Sequence, residues 1–177
     1  MTERDPIWAA ILTKRAIRAF ADRPLEPAHL DRIVHAGRRA HSSKNQQRWS
    51  FIVVQDRGRL RELSRLGPFA GHVAGAAAAI ALVTPDPRGP GAPLSIMFDL
   101  GQAADAMMLA AWELGIGSSP ATVYEQDDAR QQLGYPADQH CEFILSFGYP
   151  ADPDDLTRPP RPGGRLPMDE LAHDERW

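Results

Sequence analysis

Apolar residues in the first half of the chain recur at helical spacing in two places and form short unbroken runs in two others. The segment EPAHLDRIVHAGRRA predicts an amphipathic helix that begins near Pro27, with Leu30, Ile33, Val34 and Gly37 on its apolar face. The run SFIVVQ at 50–55 predicts a strand, and the following RGRLRELSRL predicts a helix. The end of the alanine-rich run, AIALVT, predicts a second strand, which stops at the proline- and glycine-rich segment PDPRGPGAP.

The second half of the chain contains its longest apolar segment. SIMFDLGQAADAMMLAAWEL, from Ser95 to Leu114, is apolar almost all round and predicts a helix that is buried on most sides. Gly115 would end this helix, GIGSSPATV predicts an extended segment, and CEFILSFGYP predicts a last strand. From Ala151 onward prolines and arginines dominate, and this tail is too poor in apolar residues to form a core of its own. Helices and strands alternate only in part, which favours an α+β or a mixed α/β class.

Length and charge narrow the classes of partner. The 177 residues, 43% of them hydrophobic, can bury one sizeable core, and a single domain over 1–177 is the expectation. A formal net charge of -3 argues against a general nucleic-acid binder. The longest purely apolar run is too short to cross a bilayer, and the acidic N-terminus does not resemble a signal peptide. We therefore predict a cytoplasmic location, no membrane association and a small-molecule partner.

Two polar segments carry the candidate chemistry. In TKRAIRAF, the cations Lys14, Arg15 and Arg18 fall within one and a half helical turns, where they repel one another unless an anion such as phosphate lies between them. A solvated helix face is the alternative interpretation. In AHSSKNQQRWSF, at 40–51, there are more side-chain donors and acceptors than a connecting loop needs. That excess indicates a loop that holds a flat polar group or an anion.

Five segments, in this order, resemble the bacterial nitroreductase family of flavin enzymes: KRAIRAF, HSSKNQQRWSFIVV, DLGQAADAMMLAAWELGIGSSPATV, FGYP and GRLPMDELAHDERW. The likeness covers nearly the whole chain. It implies an α+β fold with a central mixed sheet flanked by helices. It also implies a homodimer in which an extended tail, residues 152–177, packs on the partner subunit.

The resemblance also implies which residues hold the cofactor, FMN, at the dimer interface. Basic side chains of the first helix would bind its phosphate, completed by an arginine from the tail. The polar loop would reach the flavin of the neighbouring subunit, and the backbone of the segment after Gly117 would pass the reactive edge of the ring. The matching residues are Lys14, Arg15 and Arg18 with Arg165 of the tail; His41, Ser42, Ser43, Asn45 and Gln47 of the loop; and Ser119, Pro120, Ala121 and Thr122.

The activity implied by the resemblance is transfer of hydride from NADH or NADPH through FMN to a nitroaromatic, quinone or similar acceptor. No catalytic side chain is assigned, because the flavin carries the chemistry. The scattered histidines give no metal site, and Cys141 is interpreted as a small core residue. Two alternatives stay open: a flavin-binding or FMN-sequestering protein with little turnover, and a specialised family member with an unusual substrate. The short connection before Ser95 predicts an unusually open substrate face.

Overall fold

The computed structural model describes residues 6–159 and 164–177, and its centre is a four-stranded sheet. In chain order the elements are α1 (Pro6–Thr13), α2 (Pro27–Arg38), β1 (Ser50–Val54), α3 (Arg57–Leu63), β2 (Ala78–Pro85), α4 (Ser95–Glu113), β3 (Gly117–Thr122), α5 (Gln126–Leu133), β4 (Gln139–Gly148) and α6 (Met168–Leu171). This order confirms the α+β class. The helices predicted around 27–38, 57–66 and 95–114 and the strands predicted from SFIVVQ, AIALVT and CEFILSFGYP are present, whereas α1 and α5 were not predicted.

The strands lie in the order β1-β2-β4-β3, and every neighbouring pair is antiparallel. Within residues 6–159 and 164–177, parallel pairing occurs at one isolated bridge, between Ala16 and Ser118, and the implied mixed sheet is mixed there through that bridge. Strand β3 is at the edge of the sheet, where its outer backbone groups would otherwise face solvent. The chain before α2 runs along this edge, and this contact places the basic segment beside β3.

The central strand β2 separates two apolar cores. Alternate residues Ala78, Ile80 and Leu82 pack with α2 and α4, while the residues between them pack with α3 and α5 on the opposite face. Because a fully buried strand has apolar side chains on both faces, its sequence is an unbroken apolar run. Burial on both faces of β2 therefore explains the unbroken apolar run that predicted this strand.

Helix α4 is buried less completely than its sequence predicts. One stripe of the helix, which includes Leu100, Ala103 and Met107, packs in the core, and Asp99 is buried with it. In contrast, Phe98 is 72% exposed and Leu94, just before the helix, is 94% exposed. A single sheet can cover only one side of a helix, so the remaining apolar side chains of α4 lie on the surface of this chain.

The basic segment is not helical, contrary to the prediction. Helix α1 ends at Thr13, and the following residues run in extended form along β3. The Ile17 amide donates to the Ser118 carbonyl at 2.9 Å, and Phe20 forms a second bridge, to Pro150. The free edge of β3 thus supplies hydrogen-bond partners that a continued helix would have found internally. Burial of Ile17, at 3% exposure, holds the segment in place.

Gly117 of β3 provides the space that Ile17 occupies. A Cβ at position 117 would lie 2.7 Å from the Cβ of Ile17, closer than packed carbon atoms can approach. We expect Gly117→Ala to lower the free energy of unfolding by about 1 to 3 kcal/mol, the usual cost of an overpacked core. Urea denaturation measures the change. Gly75→Ala is the matched control, since its added Cβ meets nothing within 4 Å, and equal midpoints for the two variants would contradict this packing.

The C-terminal residues that the structure describes lie on the surface of the chain. Every residue from 164 to 177 is exposed. Among them are four large apolar side chains, Leu166, Met168, Leu171 and Trp177, of which the last is 99% exposed. Helix α1 presents a similar surface through Trp8, Ile11 and Leu12, each more than half exposed. Exposed apolar surface of this extent is typical of an interaction site.

A salt bridge links the segment that connects β2 and α4 to strand β4. The Arg88 guanidinium donates to both carboxylate oxygens of Glu142 on β4, each at 2.9 Å. His140 Nε2 lies 2.7 Å from the same carboxylate. The hydrogen bond from Arg88 is the main reason that the pKa of Glu142 lies below its ordinary value, even though burial acts in the opposite direction.

This pairing predicts a pH-dependent contribution to stability. A lowered carboxyl pKa stabilises the fold above the unfolded value of 4.5, and the effect is lost as pH falls through the lowered folded value. We expect Glu142→Gln to lower the free energy of unfolding by less than about 1 kcal/mol at neutral pH, because Arg88 is solvent-exposed. The difference from wild type should shrink as pH falls below 4.5. Thermal melts across this range test it, and a deficit that grew on acidification would contradict the assignment.

Candidate functional site

A cavity of about 410 Å³ opens at the edge of the sheet, where the basic segment, α4 and β3 meet. Strand β3 contributes Ser118 and Pro120 to one wall. The opposite wall belongs to α4, and the mouth carries charged side chains from three separate parts of the sequence. These charged residues are Lys14, Arg15, Asp105 and Arg165.

The charges of this cavity do not balance. The Lys14 ammonium pairs with the Asp105 carboxylate. The hydrogen bonds of Arg15 among the described residues go to the backbone carbonyls of Thr13 and Arg158, and that of Arg165 goes to the Gly164 carbonyl. Three cations face one carboxylate, which leaves two positive charges. A phosphate monoester carries about -1.5 to -2 at neutral pH and supplies acceptors for charge-assisted hydrogen bonds, so these residues fit such a group.

The polar loop predicted from AHSSKNQQRWSF is held in a specific shape. The Ser43 amide donates to Asp99 Oδ2 at 2.9 Å, which anchors the loop to α4. Within the loop, the Gln47 amide donates to Ser42 Oγ at 3.0 Å, and Gln47 Nε2 donates to Asn45 Oδ1 at 3.1 Å.

The same loop carries backbone strain. Its residues Lys44, Asn45 and Gln47 have φ values of 53°, 54° and 47°. Residues other than glycine adopt the left-handed region at a cost, and such strain concentrates at functional sites. His41, Ser43, Asn45 and Gln47 are exposed. The loop therefore offers a preformed set of donors and acceptors at the surface.

One chain does not bring all the predicted residues together. Lys14, Arg15, Pro120 and Arg165 line the cavity, whereas the loop residues His41, Ser42, Ser43, Asn45 and Gln47 do not. Of the predicted β3 residues, Ser119, Ala121 and Thr122 also lie outside the lining. Side chains alternate along a strand, so Ser118 and Pro120 face the cavity while Ser119 and Ala121 are buried on the other face of the sheet.

Arg18 is a second departure from the predicted phosphate group. It does not line the cavity with Lys14 and Arg15. Its charge acts instead on His72, whose pKa is lowered first by burial and then by Arg18. The prediction had grouped the three cations by helical spacing, and an extended segment has a different side-chain period.

Sequence reasoning missed Asp99 and Asp105, which contact the polar loop and the cation Lys14. Asp99 holds the polar loop and Asp105 pairs with Lys14. A signal was available, since these are the two acidic residues in the otherwise apolar stretch from Ser95 to Trp112. A carboxylate within an apolar helix needs a partner, and each of these has one.

Other kinds of site find no support in the described part of the chain. Within residues 6–159 and 164–177 there is no group of three His, Cys, Asp or Glu side chains placed to hold a metal ion. No helix in these ranges has the length and apolar character needed to span a bilayer. Cys141 is fully buried, and burial raises the pKa of its thiol to about 12, which makes it a core residue rather than a nucleophile.

The chain is an α+β protein with a cavity, lined by three cations and one carboxylate, at the edge of an antiparallel sheet. Residues 11–72 and 69–149 match the model of the nitroreductase family. The chain belongs to this family.

Individual relatives agree with this assignment. The chain is 34% identical over 172 residues to an Archaeoglobus fulgidus protein provisionally described as an NADH dehydrogenase/NAD(P)H nitroreductase, covering 94% of this chain and 96% of the relative. A crystal structure of a Parabacteroides distasonis protein with the same provisional description has a TM-score of 0.84 at 25% identity, covering 98% of this chain and 100% of the other. An FMN-dependent nitroreductase from Clostridium difficile has a TM-score of 0.82 at 25% identity, covering 95% and 98%.

Proposed function

We propose that this protein is an FMN-dependent oxidoreductase that takes hydride from NADH or NADPH and reduces a nitroaromatic, a quinone or a similar acceptor. The observation that carries the proposal is the cavity at the edge of β3, where three cations face one carboxylate. Similarity to an FMN-dependent nitroreductase and to relatives described as NAD(P)H nitroreductases supports the same chemistry.

Three residues would hold the phosphate of FMN. Arg15 and Arg165 supply guanidinium groups, which suit the geometry of phosphate oxygens, and Lys14 adds a point charge. Asp105 fixes the Lys14 ammonium at the cavity. Arg18 lies outside this lining, and we do not assign it to the phosphate.

The remaining residues would orient the ring of FMN and leave the redox chemistry to it. When bound, FMN supplies hydride acceptance from the nicotinamide and electron donation to the acceptor. The backbone of residues 119–122 on β3 would pass along the reactive edge, where amide dipoles stabilise charge without a titrating side chain. No acid or base of the chain is required in this account.

We propose that the complete site forms between two copies of the chain. The accessible surface of one chain is 11338 Å², whereas a compact protein of 19.5 kDa exposes about 8,500 Å². The exposed apolar residues of the tail and of α1 contribute to this excess, and obligate dimers bury surfaces of that order. The polar loop of one copy, with Ser42, Ser43 and Asn45, would then reach the flavin bound by the other copy.

Steady-state turnover tests the proposal. The full chain is loaded with FMN and given NADH or NADPH together with a nitroaromatic or a quinone, while the nicotinamide absorbance is followed. We expect turnover with at least one pair and a loss of about tenfold or more in Lys14→Ala at limiting FMN, because Asp105 is then left unpaired facing the anion. Arg61→Ala, at an exposed position of α3, is the control. Stoichiometric FMN binding without turnover would indicate a flavin-sequestering protein instead.

A further inference from the structure

A chain of hydrogen bonds lies behind β3, on the face of the sheet opposite the cavity. His72 Nδ1 is 2.9 Å from Ser146 Oγ on β4. Ser146 Oγ donates in turn to the Ser119 carbonyl on β3 at 3.1 Å. Both serines have 0% exposure, so water does not compete for these bonds. The group connects a side chain outside the sheet to the backbone of the edge strand that forms the cavity wall.

The number of hydrogens available for these two bonds favours one neutral tautomer of His72. A hydroxyl has a single hydrogen, so Ser146 can donate to the Ser119 carbonyl and also bond to His72 only by accepting from it. Both hydrogen bonds form together when His72 carries its hydrogen on Nδ1. Its Nε2 is buried and has no hydrogen-bond partner among the described residues, which fits a bare nitrogen rather than a charged ring. Burial and the charge of Arg18 lower the pKa of His72, although the Pro120 carbonyl acts in the opposite direction.

Ser119 is the residue of β3 that lies opposite Ser146 of β4. Pro120, the next residue, has no backbone N–H. Ser118 lies on the cavity side of β3, and Ser119 lies on its buried side. A side-chain hydrogen bond to the Ser119 carbonyl restrains the strand immediately before the proline.

We propose that His72 is a positioning residue for the cofactor cavity. Through Ser146 it fixes the Ser119 carbonyl, and through the strand it sets where Ser118 and Pro120 stand in the cavity wall. The effect on β3 follows from the geometry alone. The effect on the flavin rests on the proposed function.

The first experiment determines the tautomer and the charge of the His72 ring, in the full chain without added cofactor. Nitrogen-15 NMR distinguishes the two neutral forms of a histidine and the charged form. At neutral pH we expect His72 to carry its proton on Nδ1. A proton on Nε2, or a charged ring, would overturn the proposal.

Variants then test the link to β3. Asparagine can place an N–H close to the position of Nδ1, whereas glutamine reaches the position of Nε2. We expect amide hydrogen exchange in residues 117–122 to quicken about fivefold in His72→Ala, in His72→Gln and in Ser146→Ala, which corresponds to one hydrogen bond. His72→Asn should restore the wild-type rate, and His35→Ala, at an exposed site on α2, should not change it. Equal exchange in wild type and Ser146→Ala, or no difference between asparagine and glutamine, would overturn the proposal.

The reduction potential of bound FMN separates this inference from the proposed function. We expect the potential to shift in His72→Ala and to return in His72→Asn, while an unchanged potential in both variants would remove the link to the cofactor. If wild-type protein takes up no FMN, the proposed function fails, and the form of the ring and the exchange of β3 still decide the role of His72 in the strand.

Discussion

Replacing Arg15 by alanine is expected to weaken FMN binding by about 1.5 to 3 kcal/mol, or roughly 10- to 150-fold in Kd, and to affect riboflavin far less. The reason is that riboflavin lacks the phosphate. Among described residues, Arg15 donates only to backbone carbonyls, so no carboxylate in that part of the chain neutralises its charge. Calorimetric titration of the variant with both ligands measures the two losses.

Two further variants make this comparison specific. Arg165→Ala should show the same preference for loss of FMN, because Arg165 lines the cavity with Arg15. Arg18→Ala should not weaken FMN binding more than riboflavin binding, since Arg18 does not line the cavity. Equal losses for FMN and riboflavin in Arg15→Ala would move this arginine away from the phosphate.

Deletion of residues 164–177 is expected to have the largest effect of any change to the chain. It removes Arg165 and the four exposed apolar side chains of the tail together. If those side chains pack on a second copy, the truncated protein should lose both its dimeric mass and its flavin. Light scattering coupled to size exclusion measures the mass, and absorbance measures the flavin.

A matched variant separates the two contributions of the tail. Leu166, Met168 and Leu171 are changed to serine while Arg165 is kept. We expect this variant to dimerise poorly, because apolar burial is the main force in such an interface. A full-length protein with a mass near 19.5 kDa and FMN bound would contradict the dimeric site.

The sequence predicted those helices and strands that have a clear pattern of apolar residues. The apolar spacing of α2 and the unbroken run of β2 each follow from a period that a single element imposes, so both elements were found. The assignment of Lys14, Arg15 and Arg165 to a phosphate follows from their match to segments of a known family, and it stays a prediction.

What failed depended on contacts between distant segments. The backbone of Ile17 pairs with the edge of β3, and the local sequence TKRAIRAF does not contain that partner. The predicted helix was therefore wrong, and Arg18 lies outside the cavity that Lys14 and Arg15 line. The pairing of Asp99 with the polar loop links positions 56 residues apart. An apolar pattern on all sides of α4 does not specify which of its residues the same chain covers, so the sequence did not single out Phe98, which is 72% exposed.

The most direct test of the account is the absorbance spectrum of the FMN-loaded protein under anaerobic conditions, recorded during addition of NADH and then, in a fresh sample, of NADPH. We predict that the yellow absorbance of the bound flavin bleaches with at least one donor and returns when a quinone or a nitroaromatic is added. A bound flavin that stays yellow with both donors would contradict the assignment of this protein as an NAD(P)H-dependent oxidoreductase.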